Sequence, residues 1–136
     1  MKTNDDQLGN YIHLKVDFDT AVTRTIDALK TEGFGVLTQI DVKDTFKQKL
    51  GIDYLPYKIL GACNPQFAHR ALTAAPSVGL LLPCNVTVRQ LEDGSIEVAI
   101  IDPQKMLGVV NNPKLIPIAE EARTRLERVA KVLQGM

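Results

Sequence analysis

The chain has 136 residues, enough for one domain with a real hydrophobic core and no need of disulfide or metal staples. Its 16 Lys and Arg balance 16 Asp and Glu. The basic surplus that a nucleic-acid backbone selects is therefore absent, and no nucleic-acid partner is expected. Apolar residues make up 45% of the chain but never form the run of ~20 that spans a bilayer. With the polar start MKTNDDQLGN, this predicts a cytoplasmic protein with no membrane partner.

Residues 1–9 read as a loose end of a single domain covering 1–136. Residues 11–16 alternate Tyr11, His13 and Lys15 with Ile12, Leu14 and Val16, the period of a half-buried strand. Phe18-Asp19-Thr20 opens a helix whose Val22, Ile26 and Leu29 form one apolar stripe. Gly33 ends it as a left-handed cap, and Phe34 is placed to fold back on the last turn. A strand over 35–40 follows, then a short amphipathic helix over 42–50, centred on Phe46 and closed by Gly51. A third strand covers 57–63, and a helix over 65–75 stops at Pro76.

Residues 78–91 read as one long strand, with Pro83 marking an edge position or a bulge. Asp93-Gly94 is a hairpin signal, and 95–101 returns as the fifth strand. The last helix covers 114–134, with Leu115, Ala119, Ala122, Leu126, Val129, Ala130 and Leu133 on one face. Strands and helices do not alternate strictly. The order predicts an α+β protein: two layers, a mostly antiparallel sheet of about five strands, and helices packed on one face. A second copy of the chain is the natural cover for the other face.

Asn64-Pro65, Asp102-Pro103 and Asn112-Pro113 share one form. The Asx side chain can accept from first-turn amides, and proline at the first helical position loses no hydrogen bond. No glycine-rich phosphate loop accompanies them, so a nucleotide site is unsupported. Lys43, Lys47, Lys49 and Lys58 gather locally, but Asp41, Asp44 and Asp53 dilute them to a mixed, solvated surface.

Two cysteines 21 residues apart form no disulfide framework and are expected as thiols. Cys63 has two readings. Placed just before a helix N-terminus, it could be a thiolate of lowered pKa; as the end of KILGAC, it could be the last buried residue of a strand. Cys84, in LLPCNV, lies beside it if the third and fourth strands are neighbours. No CxxC is present, and His13 and His69 show no ligand spacing to either thiol, so no metal site is expected. His69–Cys63–Cys84 is the one metal set with any plausibility. No GxSxG occurs, and Ser77 and Ser95 both sit in turn-like surroundings.

The segments LGACNP, GLLLPCNVTV and EVAIIDP carry Asn64-Pro65, Leu82-Pro83 and Asp102-Pro103 in that order, with a long helix behind them. Over residues 15–132 they resemble the bacterial and archaeal family catalogued as domain of unknown function 302. The resemblance implies a TATA-binding-protein-like fold, a curved antiparallel sheet with helices on one side, and a small homodimer. It implies no reaction, and likeness of fold does not carry DNA binding with it.

The function expected is that of a homodimeric small-molecule binding or sensing module without classical catalytic machinery and without a cofactor. Its pocket rim is placed at Cys63, Asn64, Pro83, Cys84, Asn85 and Asp102. The alternative is a thiol-dependent protein of sulfur or redox handling, with Cys63 as nucleophile and Cys84 as its partner. Whether the chain is an enzyme is left open.

Overall fold

The computed structural model describes residues 7–135; the start of the expected loose end, residues 1–6, lies outside them. Five strands, β1 (Gly9–Leu14), β2 (Gly35–Asp41), β3 (Tyr57–Cys63), β4 (Cys84–Gln90) and β5 (Ile96–Ile101), form one sheet in the order β1-β5-β4-β3-β2. Every neighbouring pair is antiparallel. The helices are α1 (Phe18–Thr31), α2 (Val42–Leu50), α3 (Pro65–Ala74), α4 (Pro103–Leu107) and α5 (Leu115–Gln134). Among the described residues no helix is long and apolar enough to cross a membrane.

Strand side chains alternate between two faces, and the burial follows. Ile12, Leu14, Leu60, Ala62, Val86, Val88, Ile96, Val98 and Ile100 are buried. They meet Ala21, Val22 and Leu29 of α1 and Ala122, Leu126, Val129 and Leu133 of α5 in one core. The two-layer α+β architecture expected from the element order is the one observed.

Local chemistry sets the boundaries. Asp17 caps α1, its carboxylate accepting from the Thr20 amide at 2.8 Å and the Thr20 hydroxyl at 2.9 Å. The backbone bond from Thr20, then its hydroxyl, holds Asp17 below the usual carboxylate range. At the other end Gly33 adopts φ +83°. The Gly33 amide donates to Lys30 O and the Phe34 amide to Leu29 O, the paired bonds of a Schellman cap. Phe34 is folded back and buried, as its position after the glycine predicts.

Three expectations need correction. Residues 78–83 are not strand. Pro76–Leu80 forms a 3₁₀ turn and β4 begins only at Cys84. Pro76 stops α3 and Val78 is buried, so this apolar run packs as a turn. Pro83 therefore marks neither an edge nor a bulge; it precedes an interior strand, and the Leu82-Pro83 peptide is cis. The irregular pairing lies on β2, between Val36 and Thr38. Asn112 does not cap α5. Its side chain accepts from the Lys114 amide at 3.0 Å in a turn before the helix, and Lys114 makes no side-chain cap.

Gly33 combines a left-handed backbone with close neighbours. A Cβ there would lie 2.9 Å from Asn64 Nδ2, in addition to the cost of left-handed φ, about 1–2 kcal/mol for an L residue. Gly33→Ala is expected to lower stability by about that amount or more in urea unfolding, and Gly33→Asn by less than Gly33→Ala.

Candidate functional site

Asn64 organises the end of β3. It is buried, and its Oδ1 accepts from the Gln66 and Phe67 amides at 3.1 and 3.3 Å. Its Nδ2 donates to Glu32 O at 3.5 Å, a carbonyl that also accepts from Arg125 Nη1 at 3.2 Å. One side chain thus ties β3 and the start of α3 to the end of α1 and, through that carbonyl, to α5. Glu32 is held low by its hydrogen bond from Arg128.

Ala62 pairs with Cys84 across β3 and β4, which sets Cys63 and Cys84 at adjacent strand ends. Both are free thiols. With Asn64 and Pro83 they border a small space walled by Phe67 and Met106, of about 30 Å³. That is room for about one or two waters, an order of magnitude below an ordinary ligand pocket. On the opposite face of the sheet, a Cβ at Gly61 would collide with Thr38 Oγ1 and come within 2.8 Å of Pro83 Cγ.

Four of the six expected rim residues, Cys63, Asn64, Pro83 and Cys84, come together here. The other two do not. Asn85 is exposed and borders a different depression. Asp102 caps α4, accepting from the Gln104 amide at 2.9 Å, with Arg123 Nε 3.8 Å from its Oδ2.

The lowered thiol pKa considered for Cys63 is reversed. Burial pushes the Cys63 thiol up. Burial and then the neighbouring Cys63 push Cys84 up to about 11. The amides that were to stabilise a thiolate are already bonded to Asn64. His69 is exposed on α3, and among the described residues no cluster of three or more His, Cys, Asp or Glu could hold a metal ion.

The larger opening is on the sheet face that carries no core residues. Register sets out three rows across the strands. His13, Glu97, Arg89 and Tyr57 stand side by side, as do Tyr11, Ala99, Thr87 and Ile59. In the third row Gly9 pairs with Ile101, and Asn85 with Gly61. The small residues Gly9, Ala99 and Thr87 form the floor of a trough of about 470 Å³, bordered by Tyr11, Tyr57 and Arg89.

Arg89 Nε donates to Glu97 Oε1 at 2.8 Å, and His13 Nε2 lies 3.9 Å from Glu97 Oε2. The Arg89 guanidinium is pushed further up by Glu97, chiefly by that hydrogen bond, and less by Tyr57 and Tyr54. Among the described residues, its Nη groups and the hydroxyls of Tyr11, Tyr57 and Thr87 make no hydrogen bond. The sequence signal for this site was the outward set of alternating strand residues, which reads equally well as ordinary solvent-facing surface.

The family model described as domain of unknown function DUF302 matches residues 11–133. The chain belongs to the DUF302 family. A solved DUF302 structure, that of an uncharacterized conserved protein from Bacillus stearothermophilus, is 32% identical, covers 93% of this chain and 98% of its own, and superposes with a TM-score of 0.84. No curated protein matches the chain. The DUF302 resemblance read from the three Asx-Pro and Leu-Pro dipeptides is therefore correct.

The thiols give a direct check. Alkylation read by peptide mass spectrometry is expected to be far slower for both cysteines in the native protein at neutral pH than in denaturant. The native Cys84 rate should still be rising above pH 9, towards a midpoint near 11. Because the unfolded thiol ionises first, stability from the buried neutral Cys84 thiol is complete below about pH 9 and is lost as pH rises towards 11.

Proposed function

We propose that this DUF302 chain is a small-molecule binding or sensing module that works as a homodimer, with its ligand on the open face of the sheet. The observation that carries the reading is the trough over Ala99 and Thr87. Its volume of about 470 Å³ falls in the range of small-molecule sites, whereas the space at Cys63 does not. The lining supports a compact ligand with an apolar or aromatic body and one acceptor group. Arg89 keeps its Nη edge for that group while Glu97 fixes the guanidinium through Nε, the arrangement that favours carboxylate or carbonyl recognition.

The thiol reading is weakened where burial pushes both thiols up rather than down. The six-residue rim is accordingly divided in the proposal. Asn85 borders the trough. Asn64, Asp102, Pro83 and the two cysteines support the strand ends beneath it.

The test is native mass spectrometry of the protein as purified, with thermal shifts against a panel of small organic acids and amino acids. A ligand present at 100 times its Kd is expected to add about 2.7 kcal/mol of stability. Ala99→Tyr, which fills the trough floor, should abolish that gain without lowering the unliganded melting temperature. Bare protein in the spectrometer, together with no stabilisation by any compound, defeats the proposal.

A further inference from the structure

Residues 35–55 are finished as backbone but not as packing. α2 is well capped: Asp41 accepts from the Asp44 amide at 2.9 Å, and Gly51 closes the helix at φ +68°. Its Val42, Phe46 and Leu50 recur every four residues, one apolar stripe. Yet α2 has no buried residue, and every β2 residue from Leu37 to Asp41 is exposed. Phe46 rests edge-on against Tyr54, with ring centroids 5.0 Å apart. A helix of nine residues is too short to persist in water on its own, so packing must hold it.

Leu37, Ile40, Leu50, Ile52, Tyr54 and Leu55 are all exposed, Leu37 at 69% and Leu50 at 64%. Among the described residues, half of the large exposed apolar side chains thus fall within this one arm. Monomers rarely leave so concentrated a patch bare. β2 is also an edge strand of the sheet, with backbone groups open to another chain.

We infer that the arm is the surface through which two copies of this chain associate, arm against arm about a two-fold axis. Three features favour a second copy over a foreign partner. The arm carries Lys43, Lys47 and Lys49 against Asp41, Asp44 and Asp53, equal numbers of each sign. It neither repels its own copy nor selects a strongly acidic or basic partner. An edge strand pairing antiparallel with its own copy satisfies a two-fold axis by construction. Its exposed Leu37, Ile40, Leu50, Ile52, Tyr54 and Leu55, presented twice across the axis, also supply the apolar centre that an interface needs. The inference rests on the homodimer part of the proposed function and not on the ligand.

The experiment is light scattering and sedimentation on the whole chain over a range of concentrations, for the wild type, for the double variant Ile40→Lys/Leu50→Lys, and for Val109→Lys as an exposed control outside the arm. The wild type and the control are expected at twice the 15.0 kDa chain mass. The double variant is expected at the single-chain mass, with an unchanged circular dichroism spectrum and a dimer Kd raised at least 100-fold. Hydrogen exchange on the wild type gives an independent readout: amides of 37–55 should lose protection on dilution through the dimer Kd. A dimer that survives the double variant, with no dilution-dependent exchange in 37–55, overturns the arm while leaving the homodimer intact. A wild type that is monomeric throughout overturns both.

Discussion

The packing of one sheet face against α1 and α5 is the interaction on which the rest of the structure depends. Val86, Val88, Val98 and Ile100 occupy the two central strands, and each is essentially inaccessible to solvent. A fully buried side chain of this kind contributes about 1.5–3 kcal/mol. A partly exposed ion pair such as Arg89–Glu97 on the opposite face contributes about 0–1 kcal/mol. The fold is therefore decided on the helix side. The other face has little influence on which fold forms, and so its tyrosines, arginine and small residues can be set by what they contact.

The same comparison explains the behaviour of Cys63. A helix N-terminus is worth about 0.3–1 kcal/mol to a nearby anion, and at α3 the first free amides already bond to Asn64 Oδ1. Against this stands the loss of hydration at a partly buried sulfur, which raises a thiol pKa. Desolvation outweighs the helix end, and the half-buried Cys63 thiol is shifted up rather than down. Asn64 is the reason the chain can turn there. It replaces water for two amides inside the protein and reaches Glu32 O with its other end.

Much of this was legible in the sequence because local signals and burial agreed. The bounds of α2 and β3, the left-handed Gly33, the Asp93-Gly94 turn and the apolar face of α5 all follow from caps, periodicity and turn chemistry. The misses fall where an apolar run has more than one way to be buried. Residues 78–83 are apolar enough for a strand, but Val78 reaches the core from a 3₁₀ turn, a distinction that composition does not carry. The expected rim divides between two places for a related reason. Strand ends that converge in space are not thereby open, and Phe67 and Met106 wall the small space between them. Asn85, one residue from Cys84, faces the opposite side of the sheet, since a single step along a strand reverses the direction of a side chain.

The proposed dimer surface and the proposed ligand trough meet at one corner. Tyr57 belongs to the row that carries Arg89 and Glu97, while Tyr54 packs on Phe46 of α2. Both tyrosines are close enough to Arg89 to influence its guanidinium. The segment from Tyr54 to Tyr57 therefore belongs to the arm at one end and to the trough at the other. A chain that packs on α2 and β2 would bury Tyr54 and Leu55 and approach the Arg89 end of the trough from the side. Burial at that corner removes water from a guanidinium already fixed by Glu97, and such a group binds an acceptor more strongly as its surroundings become less polar. On the proposed arrangement, the dimer surface and the ligand trough share a border at Tyr54, Tyr57 and Arg89.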